Sequence, residues 1–124
     1  MLKDDFFSIV AHSLLDSHTV DFQIKIHKNH AIYKGHFPGN PVTPGVCIIQ
    51  MARELFVFFK QEDFLIKKIK SVKFTQTIIP TLHETIHYRM EWEDADSEHL
   101  IRLKATVYSE DIVFTKINMQ LKAI

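Results

Sequence analysis

The chain has 124 residues, the size of one domain with a real hydrophobic core and little apolar surface to spare. Apolar residues make up 46% and charged residues 24%, the proportions of a soluble globular protein. Fifteen Lys and Arg balance fifteen Asp and Glu, which excludes a dedicated nucleic-acid binder with its basic excess; the single Cys47 excludes an internal disulfide and fits a reducing compartment.

No apolar run reaches membrane-spanning length, and the opening MLKDDFF lacks the basic start and apolar stretch of a signal peptide. The expectation is one cytoplasmic domain over residues 1–124, without repeat or linker. Residues 35–45, GHFPGNPVTPG, hold three of the four prolines and all three glycines. A chain with so little punctuation outside one loop is built of long elements.

In chain order, DDFFSIVAHSLL reads as a short amphipathic helix with Phe6, Ile9 and Val10 on one side. TVDFQIKIH alternates strictly, with Val20, Phe22, Ile24 and Ile26 on one face, and is a half-buried strand. HAIYKG is expected to pair with it as a hairpin across Lys28 and Asn29. After the Pro/Gly loop, VCIIQMARELFVFF is too long for a usual strand and reads as a buried helix. IKSVKFTQTII, ETIHYRMEWE, HLIRLKATVYS and IVFTKINMQLK then alternate with period two, separated by PTLH, DADSE and ED. The fold class is α+β: one long buried helix against an antiparallel sheet of five or six strands.

A helix apolar nearly all round must be wrapped on most of its circumference, which a strongly curved sheet does. Its polar exceptions are Gln50, Arg53 and Glu54. At 100° per residue Arg53 and Glu54 fall within about 60° of Gln50, so the three form one stripe that meets solvent or lines a site.

The Pro/Gly loop carries the chemistry. Pro38, Pro41 and Pro44 fix three φ angles, and Gly35, Gly39 and Gly45 allow conformations or close approaches that a Cβ blocks. Pro44-Gly45-Val46 abuts the start of the helix, where backbone N–H groups lack intrahelical partners and the dipole is positive, a place suited to a substrate carbonyl. His36 at the other end of the loop has the chemistry of a base near neutral pH. The plainer reading is a turn and one of eight histidines.

Other features weigh toward structure. His83 and His87 are placed on a strand, where four residues span about 13 Å, too far for one metal ion. Cys47 reads as a small core residue among apolar neighbours. Lys67, Lys68, Lys70 and Lys73 form either a solvated strand face or a docking patch for an acidic carrier. EDADSE reads as a solvated turn.

GHFPGNPVTPGVCIIQ resembles the signature of the hot-dog-fold 3-hydroxyacyl-[acyl-carrier-protein] dehydratases (FabZ/FabA-like) of bacterial fatty-acid synthesis. His36, Phe37, Pro38, Gly39, Pro41, Pro44, Gly45 and Val46 match the family pattern in register. IKSVKFTQTIIPTLHETIHYRMEW is similar to the segment that follows the helix in that family. The resemblance implies a hot-dog fold, a curved sheet wrapping the helix, dimerised through sheet edges with active sites at the subunit interface. It implies loss of water from a (3R)-hydroxyacyl thioester, carried on acyl carrier protein or CoA, to give a trans-2-enoyl thioester. His36 is then the base, Gly45 N–H the donor to the thioester carbonyl, and Phe37, Pro44 and Val46 contact substrate. No cofactor and no metal are implied. The family's helix acid falls on Gln50 here, and Glu54, one turn later, stands where many relatives carry Gln. The expected assembly is a homodimer or larger, or a heterodimer with a related subunit. An acyl thioesterase of the same fold and a non-catalytic binding or partner subunit are the alternatives.

Overall fold

The computed structural model describes residues 1–95 and 99–124. The chain runs through β1 (Phe7–Asp16), β2 (Thr19–Ile26), α1 (Ile32–Gly35), α2 (Gly45–Lys60), β3 (Phe64–Phe74), β4 (Thr85–Asp94), β5 (Leu100–Ser109) and β6 (Ile112–Ala123). The strands form one six-stranded antiparallel sheet in the order β1-β2-β4-β5-β6-β3. This is the α+β hot-dog fold expected from the sequence.

Alternation decides which face is buried. Val20, Phe22, Ile24 and Ile26 of β2, Ile86, Tyr88, Met90 and Trp92 of β4, and Leu103 and Val107 of β5 all point inward. Cys47, Ile48, Met51, Ala52, Leu55 and Phe56 of α2 meet them. Fully burying one side chain of this size is worth roughly 1.5–3 kcal/mol. The Tyr88 hydroxyl donates to the Ile48 carbonyl at 2.9 Å and ties the middle of α2 to the sheet. α2 ends at Gln61, whose left-handed backbone (φ 54°) lets its N–H reach the Val57 carbonyl.

Two sequence-based expectations are corrected. Residues 7–16 form a strand, not a helix, and the reason lies in two β-bulges, between Ile9 and Ala11 and between Leu14 and Asp16. Each bulge slips the alternation by one residue. Phe7, Ile9, His12 and Leu14 stand opposite the buried Ile26, Ile24, Phe22 and Val20, in steps of two, three and two that hide the strand period, and His12 and Leu14 stay exposed. HAIYKG makes no hairpin, because β1 and β4 occupy both sides of β2. His27–His30 instead make a turn into the short α1, whose Tyr33 is buried and stacks on Phe6.

The sheet covers α2 on one side rather than on most of its circumference. Val46 remains 76% exposed, and Ile49, Gln50, Arg53 and Val57 are half-buried on the far side. The DADSE turn lies partly outside the described residues, since Asp96, Ser97 and Glu98 are not among them. Among the described residues no helix is long and apolar enough to cross a membrane.

Candidate active site

The Pro/Gly segment closes on itself through backbone bonds. Val42 N–H donates to the His36 carbonyl at 2.9 Å, and Phe37 and Asn40 exchange N–H···O bonds at 3.2 and 2.9 Å. Gly39 sits at φ 72°, where a side chain is strained. The loop is fastened to its surroundings at Thr43, whose N–H donates to the Ile78 carbonyl at 3.0 Å and whose buried hydroxyl meets the Tyr33 hydroxyl at 2.9 Å. Burial pushes the Tyr33 phenol up to about 12, so the hydroxyl enters this contact in its neutral form.

This frame fixes the His36 ring. Nδ1–H donates to the Val42 carbonyl at 3.0 Å, which leaves Nε2 of the neutral ring as the basic nitrogen. The Phe37 ring stacks on one face of the imidazole with centroids 4.2 Å apart and is itself 51% exposed, on the rim. His36 lines a cleft of about 340 Å³ with Val42, Thr43, Gly45, Ile48 and Phe74, and the 75–78 segment forms the remaining wall. His36 and Gly45 at the start of α2, nine positions apart in sequence, therefore share one cleft.

Gly45 opens α2 behind Pro44, whose extended backbone (φ −63°, ψ 141°) is the helix cap. The Pro44 carbonyl takes the N–H groups of Cys47 and Ile48 at 3.0 and 3.2 Å. The Gly45 and Val46 N–H groups precede the first helical acceptor and point out of the helix end. The space beside the Gly45 Cα is filled rather than open. A Cβ there would lie 2.8 Å from Phe74 Cζ, so glycine is required for the ring to sit against the helix start. Sequence reasoning assigned that room to the substrate.

Gln50 and Glu54 meet, as neighbours one turn apart, but not in this cleft. Glu54 is fully buried. Its carboxylate accepts the Leu2 N–H at 2.9 Å on both oxygens, the Lys3 N–H at 2.8 Å and the Gln50 side-chain N–H at 2.8 Å. The polar stripe of α2 is thus roofed by the N-terminal segment. Arg53 completes the stripe by donating to the Phe64 carbonyl at 2.7 Å and to Asp63 at 3.2 Å. A carboxylate only accepts, so Gln50 must turn its NH₂ toward Glu54 and its Oε1 away.

The remaining candidates separate. His83 lies in the turn before β4, not on a strand, and its Nδ1 accepts the Ile79 N–H at 3.2 Å. His87 Nδ1–H donates to Asp21 at 2.9 Å on the outer sheet face, where the Tyr108 hydroxyl also donates to Asp21. Cys47 is buried, and burial pushes its thiol up, away from the thiolate a nucleophile needs. Val42, Thr43, Tyr33, Phe74 and Ile78 were not singled out from sequence. Two of them act through backbone carbonyls, which leave no residue signature; Tyr33 followed by Thr43 ten positions on was the available signal.

Comparison with known proteins bears on the family and the fold. The model of the ApeI-like family, described as ApeI dehydratase, matches residues 12–113. The FabZ 3-hydroxyacyl-[acyl-carrier-protein] dehydratase of Enterococcus faecalis is 32% identical over 91 residues, covering 67% of this chain and 60% of that protein. Its counterpart in Latilactobacillus sakei is 41% identical over 59 residues, 42% of each chain. The chain thus spans between 42% and 60% of the length of these relatives. Among solved structures, the dehydratase heterocomplex ApeI:P of Xenorhabdus doucetiae superposes with a TM-score of 0.67 at 18% identity, covering 92% of this chain and 96% of that one. A hypothetical thioesterase of Streptococcus pneumoniae with coenzyme A superposes at 0.64 and 9% identity, covering 98% and 90%. These two share the fold; the family match covers most of the chain, and the chain belongs to the ApeI-like dehydratase family of hot-dog proteins.

Proposed function

We propose that the chain is a hydro-lyase subunit that removes water from a (3R)-3-hydroxyacyl thioester, borne by an acyl carrier protein or CoA, in fatty-acid or related acyl-chain synthesis. The observation that carries this reading is the His36 ring, pinned through Nδ1 with Nε2 as its base, in one cleft with the N-terminus of α2. The Cα proton of a thioester is weakly acidic, so its removal needs a base and a stabilised enolate. His36 Nε2 takes the proton, and the N–H of Gly45 holds the thioester oxygen as charge develops. Phe74 swings aside or packs along the acyl chain; Phe37, Pro44 and Val46 form the rim.

The described lining of the cleft holds no carboxylate. His36 therefore returns the proton it took. The imidazolium gives it to the 3-oxygen, the C–O bond breaks, and water leaves as the Cα–Cβ double bond forms. Gln50 of a second subunit presents Oε1 to the 3-hydroxyl and steadies it, and Glu54 holds Gln50 in that orientation. Glu54 is occupied by two backbone amides and a side chain, which favours this over direct acid catalysis by Glu54.

A second reading, a partner subunit that completes an active relative, is favoured by the same lack of a carboxylate in the cleft. Incubation with 3-hydroxyacyl-carrier-protein and 3-hydroxyacyl-CoA, followed by mass spectrometry, separates the readings. Water loss supports dehydration. Release of free acid means a thioesterase, and binding without either product means the partner subunit.

A further inference from the structure

The start of β1 and the end of β2 bring together a serine and a histidine that the reaction at His36 does not use. Ser8 is the outward residue between Phe7 and Ile9, opposite the exposed Lys25 of β2. Its hydroxyl lies 2.6 Å from Nε2 of His27, the residue that follows β2. His27 Nδ1 lies 2.8 Å from the backbone carbonyl of Asp5. A carbonyl only accepts, so Nδ1 carries the proton, Nε2 of the neutral ring accepts, and the Ser8 hydroxyl donates to it. The His27 backbone is pinned as well, its N–H donating to the Phe6 carbonyl at 2.9 Å. The Asp5 carboxylate turns instead to His30 Nε2 at 3.1 Å. The group that orients His27 is therefore a carbonyl and not a carboxylate.

A hydroxyl, an imidazole and a fixed orienting acceptor in series form the arrangement that activates a serine nucleophile. Ser8 and His27 are both half-buried, so a small reagent reaches them. β1 is an edge strand, paired with β2 and bridged to Lys3 only at Phe7. The free side of such a strand presents unpaired backbone N–H groups, and those beyond Phe7 run alongside Ser8 as donors for an oxyanion. The described lining of the His36 cleft includes neither Ser8 nor His27. A carbonyl fixes the tautomer but stabilises an imidazolium less than a carboxylate does, which suits a single acylation better than rapid turnover.

We propose that Ser8 is an acyl-acceptor site, activated by His27, that takes the acyl group of a small acyl thioester. Ser8 Oγ attacks the thioester carbon while its proton passes to His27 Nε2. The C–S bond then breaks, His27 gives the proton to the departing sulfur, and a free thiol and an ester on Ser8 remain. The site is separate from the reaction assigned to His36 and does not depend on it.

Two probes test this, each read by intact-mass spectrometry and peptide mapping. The first is a small fluorophosphonate, which phosphonylates activated hydroxyls with loss of fluoride. The second is the acetyl thioester of N-acetylcysteamine; hydroxylamine removes the resulting ester and leaves any lysine amide in place. Both adducts form on Ser8 in the wild type and at the same rate in His36→Ala. Loss of a general base costs about 10²–10⁴-fold, so labelling falls at least about a hundredfold in His27→Asn. Asparagine places an amide N–H near the Asp5 carbonyl but has no basic nitrogen. His27→Gln, whose amide reaches the Nε2 position, repeats the test, and circular dichroism checks the fold of each variant. A missing Ser8 adduct with either probe in the wild type overturns the proposal, as does Ser8 labelling that persists at the wild-type rate in a folded His27 variant.

Discussion

Glu54→Gln separates a positioning role from a catalytic one. In the wild type four hydrogen bonds converge on the Glu54 carboxylate. Oε1 takes the Leu2 and Lys3 amides, and Oε2 shares the Leu2 amide and takes the Gln50 NH₂. Glutamine keeps one acceptor for the backbone pair, and its own NH₂ falls beside Gln50. The Gln50 amide then flips and accepts instead. What is lost is the charge on the acceptor, and bonds to charged groups are worth about 1.5–3 kcal/mol against about 0.5–1.5 for neutral ones. With one bond lost at Leu2 and another weakened, the variant loses about 1–2 kcal/mol in urea unfolding, or roughly 4–10 °C in Tm. Turnover of a 3-hydroxyacyl thioester falls no more than about tenfold, a barrier increase of about 1.4 kcal/mol. A thousandfold loss of kcat with unchanged stability would refute the reasoning, because Glu54 would then be touching substrate.

Gln50→Glu alone sets two carboxylates where Gln50 and Glu54 now lie 2.8 Å apart; one must be raised well above its ordinary value, so the variant is stable at low pH and loses stability as pH rises toward 7, measured by urea unfolding across pH. The double variant Gln50→Glu with Glu54→Gln removes that repulsion and turns over faster than wild type; a double variant slower than wild type speaks against Gln50 as the group that meets the hydroxyl. Gly45→Ala forces the Phe74 ring away from a contact of 2.8 Å, costing about 1–2 kcal/mol in thermal unfolding, and Phe74→Ala in the same chain restores that stability. Thr115 has a buried hydroxyl without a hydrogen-bond partner among the described residues, so Thr115→Val raises stability by about 0.5–1 kcal/mol, and a loss of more than about 1 kcal/mol would indicate a hydrogen bond there.

Much of the architecture was legible because its period-two segments are unbroken. β2 and β4 alternate without a slip, and their buried faces follow from the sequence residue by residue. β1 was not legible because two bulges disguise its period, and the fate of residues 30–35 depended on which strand had already taken each edge of β2, a tertiary fact. The site divides in the same way. His36 and Gly45 stand out through a loop whose prolines and glycines demand a fixed backbone, and the structure brings them to one cleft. Glu54 could be located on the helix stripe with Gln50, but not its partners, since the backbone amides of Leu2 and Lys3 lie more than fifty residues away and carry no side-chain signature. Phe74 was similarly silent, one aromatic in an alternating strand until its ring is found against Gly45.

The central claim is that one histidine moves the proton in both directions. It is tested most directly by the chain and its His36→Ala variant, each incubated with a 3-hydroxyacyl-carrier-protein and followed by mass spectrometry for the loss of one water. The account predicts slow formation of the trans-2-enoyl product by the wild type, no product above the uncatalysed rate from His36→Ala, and the same unfolding midpoint for both within about 1 kcal/mol. Undiminished water loss by the His36→Ala variant contradicts it.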